Sequence, residues 1–128
     1  MKARVIKKQP QIALLYNIEN NKSADIARII SSYDIASLET DATAAVYKVG
    51  YLCQYEGYTD EIVYCPIPHD EAIVFSACSG NDINRILADM KKQGITVELK
   101  GMVTDTNKNW CLGKLIEEFK EEKERLQK

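Results

Sequence analysis

The sequence predicts an α/β fold: an open, mainly parallel four-stranded sheet with helices on both faces. Three observations carry that prediction. Short, nearly unbroken apolar runs at Gln11–Tyr16 and Ala72–Ser76 suit strands covered on both sides. Each is followed by apolar residues at the i, i+3, i+4, i+7 spacing of an amphipathic helix. Strand and helix alternate four times, and parallel neighbours need helical crossovers of this kind. The strand order expected is 2-1-3-4; the competing arrangement is a ferredoxin-like split βαβ with Asp41–Glu71 inserted between antiparallel neighbours.

The first strand, Gln11–Tyr16, leads through a polar loop, Asn17–Asn21, into a helix over Lys22–Tyr33 with Ile26, Ile29, Ile30 and Tyr33 on one side. Asp34 breaks it, and Ile35–Glu39 forms a short second strand. Asp41–Tyr55 has the apolar content of a helix, weakened by Gly50 and its β-branched residues. Glu56–Glu71, with Gly57, Pro66 and Pro68, is a loop anchored by Tyr58, Ile62 and Tyr64. The strand from Ala72 enters the best-signed helix of the chain. Ser79 and Asp82 resemble a capping box, Ile83, Ile86, Leu87 and Met90 make the stripe, Lys91 and Lys92 suit the dipole, and Gly94 closes it. Thr96–Val103 is the fourth strand. A final helix from about Asn109 carries Trp110, Leu112, Leu115, Ile116 and Phe119, before a charged tail, 120–128. The two amphipathic helices share Asp-Ile-x-Arg-Ile at Asp25–Ile29 and Asp82–Ile86, which raises the reading of a duplicated βαβ unit against that of convergent helix patterning.

A length of 128 residues, 45% apolar and 28% charged, suits one globular domain, 1–128. No apolar run nears the ~18 residues of a membrane span, and no signal-type stretch follows the N-terminus, so no membrane partner and a cytoplasmic location are expected. Seventeen Lys and Arg against nineteen Asp and Glu give a net charge of −2, the wrong sign for a nucleic-acid partner. The charge is uneven. Lys2, Arg4, Lys7 and Lys8 form a basic stretch, 1–9, read as solubilising, whereas Asn17–Glu71 sets ten acids against three bases.

The four cysteines, Cys53, Cys65, Cys78 and Cys111, lack metal-site spacing and have one histidine to assist them, so each is expected as a reduced, half-buried hydrophobe. Neither strand-to-helix loop is a P-loop or dinucleotide fingerprint, and no cofactor is expected. The third strand ends in Ser76-Ala77-Cys78, without the aspartate of a receiver-type phosphoacceptor. Cys78 lies just before a helix N-terminus, where the dipole favours a thiolate, but its base would have to be His69, brought in by the fold. His69, Asp70 and Glu71 alternate along an extended segment and make a poor metal cluster; no metal site is expected.

Ligands of open α/β sheets gather outside the carboxyl ends of strands. That rule selects Asn17, Ser79, Thr104, Thr106, Asn107 and Trp110 as ligand-binding residues, on the wager that all lie on one rim of the sheet. Helix capping and turn formation are the plainer roles for the same polar residues.

Leu14-Leu15-Tyr16-Asn17, Val49-Gly50-Tyr51-Leu52, Ala72-Ile73-Val74-Phe75 and the Thr106-Asn107-x-x-Trp110 ending together resemble a bacterial family, domain of unknown function 3783, over Ile12–Lys123. The resemblance implies this domain type and brings no reaction, cofactor or catalytic residue. The function expected is therefore a non-enzymatic binding or regulatory module for a small anionic ligand or a protein partner. The alternatives are a thiol-dependent enzyme using Cys78 and a homodimer formed through the apolar side of the C-terminal helix.

Overall fold

The computed structural model describes residues 9–126; the basic residues Lys2, Arg4, Lys7 and Lys8 lie outside them. Four strands, β1 (Ile12–Tyr16), β2 (Ala36–Thr40), β3 (Ala72–Ser76) and β4 (Leu99–Met102), form one sheet in the order β2-β1-β3-β4. The longer helices are α1 (Asn20–Ser31), α3 (Gly80–Lys92) and α4 (Leu112–Leu126); α2 (Val49–Leu52) is a single turn. The order and the α/β class are those expected. A split βαβ would separate β1 from β2, yet these two strands pair directly and in parallel.

The parallel pairs are β1 with β2 and β3 with β4, while the central pair, β1 with β3, is antiparallel and sets Ile12 opposite Ser76 and Tyr16 opposite Ala72. The reason lies in the excursion between β2 and β3. Segment 41–71 leaves the sheet beyond Thr40 and returns beside Tyr16, at the end it left, so β3 runs back down.

The pleat then divides the core. Ala13, Leu15, Ile73 and Phe75 face α1 and α3; Leu14, Tyr16, Ala72 and Val74 face residues 44–53 and α4. Every residue of β1 and β3 is buried, which is why these strands show no polar alternation.

The helix expected over Asp41–Tyr55 is broken. A 3₁₀ turn at Ala42–Val46 and the short α2 flank Tyr47 and Lys48, which stay extended. Tyr47 and Lys48 bridge to Ile62 and Cys111, so tertiary pairing takes the backbone groups a continuous helix would have used. Gly50 is required there: a Cβ would lie 2.6 Å from the Tyr58 ring. The fourth strand is also shorter than Thr96–Val103, because Val97 turns into the core and its carbonyl accepts a bond from Lys100 Nζ. The last helix starts at Leu112, after a 3₁₀ turn at Asn107–Asn109 and an extended Trp110.

The two βαβ units do repeat in architecture. Their offset is sixty residues, 12 to 72 at the strands and 20 to 80 at the helix starts. The same offset relates the left-handed Asn17 and Ala77, and the N-caps Glu19 and Ser79. The shared Asp-Ile-x-Arg-Ile is displaced by fifty-seven residues (25 to 82), so it falls three residues out of structural register. Buried Ile26 and Ile30 correspond to Ile86 and Met90, and the motif match reflects helix patterning alone.

Candidate functional site

An antiparallel centre sends the carboxyl ends of β1 and β2 to one end of the sheet and those of β3 and β4 to the other. Asn17 therefore sits at one end, with Ser79 and Thr104–Trp110 at the other. The single rim does not exist, and its shared pocket is corrected to two separate places. Four residue steps at ~3.3 Å each put the two ends about 13 Å apart.

At the first end, beyond Tyr16 and Thr40, lies an open cleft of about 530 Å³. Its wall is unusually acidic, lined by Glu19, Glu39, Asp41 and Glu71 beside Asn17 and Ser23. Each side chain is placed by local structure. Asn17 adopts φ 57, takes a backbone bond to Thr40 and donates from Nδ2 to the His69 carbonyl at 2.8 Å. Buried Ser23 donates to Glu39 at 2.5 Å. Lys22 pairs with Glu71 at 2.6 Å, leaving four carboxylates against one ammonium. Bonds from the Thr43 hydroxyl and backbone N–H hold the Asp41 carboxyl below its usual range, so it stays charged.

The N-terminus of α1 opens on this cleft, but its anion site is occupied by the chain itself: Glu19 accepts from the N–H groups of Asn21 and Lys22 at 3.0 and 3.1 Å. A ligand anion would meet that carboxylate and three others. Sequence pattern pointed to Asn17 and missed Glu19, Glu39, Asp41, Glu71 and Ser23. The excess of acids over Asn17–Glu71 was the available signal; their convergence depends on Asp41 and Glu71 flanking the excursion that leaves and re-enters at one end.

At the other end, Ser79 is the N-cap of α3, its hydroxyl accepting from Asp82 N–H at 3.1 Å. Asn107 is buried, and its side chain is spent on structure. It accepts from Thr104 N–H at 2.8 Å and donates to the Met102 carbonyl at 3.0 Å, while Thr104 Oγ1 accepts from its N–H at 3.0 Å. Thr106 is exposed and precedes the 3₁₀ turn without a side-chain cap bond. Trp110 packs against the core beneath Lys114, whose ammonium lies 4.5 Å from the ring centre. Thr104, Asn107 and Trp110 do share one feature, a groove of about 500 Å³ between β4 and α4; Ser79 is outside it.

Cys78 is buried and donates to the carbonyls of Ser76 and Ile12 at 3.3 and 3.8 Å. Burial pushes its thiol up, against the thiolate that nucleophilic chemistry needs. His69, with its carbonyl on Asn17, belongs to the opposite end of the sheet from Cys78. Burial likewise pushes Cys53 up to about 11.

Two cysteines depart from the expectation of four reduced thiols. Cys65 and Cys111 form a disulfide, their Cα atoms 6.4 Å apart across 46 residues of sequence. The return of segment 54–71 over the start of α4 creates that proximity, which spacing alone cannot reveal. Cys53 and Cys78 are free and buried, as expected. Among the described residues, no group of three or more His, Cys, Asp or Glu is placed to hold a metal ion, and no helix is long and apolar enough to cross a membrane.

Residues 71–126 match the family described as a domain of unknown function (DUF3783). The similarity covers this segment, somewhat less than half of the chain. The DUF3783 match runs from the entry of β3 through α3 and β4 to the end of α4, and is shorter than the Ile12–Lys123 span of the sequence resemblance. Glu71 is the one acidic residue of the cleft wall that falls inside the DUF3783 segment; Asn17, Glu19, Ser23, Glu39 and Asp41 precede it. No curated protein and no solved structure matches the chain.

Proposed function

We propose that the chain is a non-enzymatic binding module whose cleft, beyond the carboxyl ends of β1 and β2, takes a small cationic ligand bearing one or more amines. The observation that carries this reading is the lining: four carboxylates around about 530 Å³, with Lys22 as their one paired cation. Position adds support, since the cleft lies where parallel neighbours of an open sheet deliver their loops. The sign of the ligand is thus reversed from the anion that the loop composition favoured. The thiol-enzyme reading has little physical footing, because Cys78 is buried, its pKa is raised and its only histidine is remote. Self-association through the apolar side of α4 is also weakened, as Leu112, Leu115 and Ile116 are buried against the sheet.

The test is a thermal-shift and calorimetric titration with putrescine, spermidine and arginine, set against inorganic phosphate and citrate. Amines are expected to raise the melting temperature and the anions to leave it unchanged. Glu39→Gln is expected to weaken amine affinity by about tenfold, the loss of one charge-assisted bond. Stabilisation by the anions, or amine binding indifferent to Glu39→Gln, would refute the reading.

A further inference from the structure

The chain from Tyr51 to Ile67 presents a second surface; Ile62, Tyr64 and Ile67 do not line the cleft, and Tyr51 borders a neighbouring hollow that shares Glu39 and Asp41 with it. Of the six large apolar side chains left exposed among the described residues, four fall between residues 51 and 67: Tyr51, Ile62, Tyr64 and Ile67, at 38, 66, 105 and 50%. Exposure of this kind on a slack loop would mean little. Here the backbone is tied down along its length. Val63 N–H donates to Val46 at 3.0 Å, Ile62 bridges to Tyr47, and Cys65 is bonded to Cys111. Pro68 accepts from the Tyr16 hydroxyl at 2.8 Å, and the Pro66 carbonyl fills the space a Cβ on Gly113 would need. Tyr47 and Tyr51 stack beside this strap with ring centres 5.6 Å apart. Aromatic and aliphatic side chains held in water by a fixed backbone are what protein-binding surfaces display.

The charge around the patch selects the partner. Glu56, Asp60 and Glu61 are exposed and make no ion pair among the described residues, and no Lys or Arg occurs from Val49 to Asn84. A second copy fits poorly, because a two-fold interface would set Asp60 and Glu61 against their own counterparts. We propose that this surface docks a basic segment of a partner protein, its aliphatic side chains against Ile62 and Tyr64 and its Lys or Arg residues against Asp60 and Glu61. The proposal rests on a different surface from the amine cleft and stands without it.

The experiment measures fluorescence anisotropy of a labelled short peptide of alternating leucine and lysine, with a leucine–glutamate peptide beside it, titrated with the full chain at low and high salt. The lysine peptide is expected to bind and to weaken by about tenfold at high salt, as exposed charge pairs do. The double variant Ile62→Ser, Tyr64→Ser should weaken it by about tenfold more, since both side chains are exposed and their loss leaves the fold and melting temperature intact. Asp60→Lys, Glu61→Lys should abolish binding. Equal binding of both peptides, no binding of either, or a serine variant that binds as well as the parent would overturn the proposal. So would a dimer in light scattering that the serine variant dissolves, which would assign the patch to a second copy.

Discussion

Asn107 shows how a polar residue in a loop becomes part of the scaffold. Its amide holds the Thr104 N–H and the Met102 carbonyl together where β4 ends, so that one donor and one acceptor are committed to the scaffold. Replacing it by alanine removes two part-buried hydrogen bonds, those to the Thr104 N–H and the Met102 carbonyl. Asn107→Ala is expected to cost about 1–3 kcal/mol in urea denaturation and to leave amine binding unchanged, because the acidic cleft is at the other end of the sheet. A variant that keeps its stability but loses a ligand would return this loop to a binding role. Cys78 follows the same logic: the position before a helix looks reactive in one dimension, and burial under Ile12 and Ser76 makes it a packing residue in three.

Among elements, the strap from Gln54 to Glu71 does the most with the least regular structure. It enters the core through Tyr16 and Pro68, carries the exposed apolar side chains, and delivers Glu71 to the cleft. The Cys65–Cys111 bond fastens it to the start of α4. Opening that bond with dithiothreitol, or making Cys65→Ser, is expected to lower stability by about 2–4 kcal/mol through a less constrained unfolded chain. The fold should survive, because the packing of both sheet faces does not pass through the bond. Alkylation with iodoacetamide checks the premise: in untreated, denatured protein only Cys53 and Cys78 should label. Labelling of all four cysteines would remove the cross-link and this prediction with it.

At the scale of the whole molecule, the buried titratable groups set the alkaline limit of stability. Burial raises Tyr16, with Asp41 and Asp70 adding to it, raises Cys78, and takes Cys53 to about 11. In each case the folded state holds its proton more tightly than the unfolded chain does. Their contribution is therefore complete below the unfolded values, about 8.5 for a thiol and about 10 for a tyrosine, and is lost as pH rises toward the folded ones. The melting temperature should hold steady near neutrality and fall from about pH 9 upward. Cys53→Ala should make that fall shallower while lowering the plateau through lost packing. A melting temperature unchanged to about pH 11 would mean that these groups ionise freely in the fold.

Local patterning was enough to establish the α/β class, the two long amphipathic helices and the Ser79 cap, because each depends on residues a few positions apart. The strand order 2-1-3-4 agreed with expectation but rests on pairing between distant strands. Apolar runs such as Ile12–Tyr16 announce burial on both faces whatever the direction of the neighbouring strand. Direction itself was not legible. It depends on whether segment 41–71 returns to the end it left, and that is decided by contacts of Tyr47, Lys48 and Pro68 with residues tens of positions away. With that one reversal, Asn17 parts from Ser79 and Asn107, Asp41 and Glu71 meet across a cleft, and Cys65 reaches Cys111. The residue types were written along the chain. Which of them share a space was settled by long-range packing, because a strand's side-chain pattern is the same read in either direction.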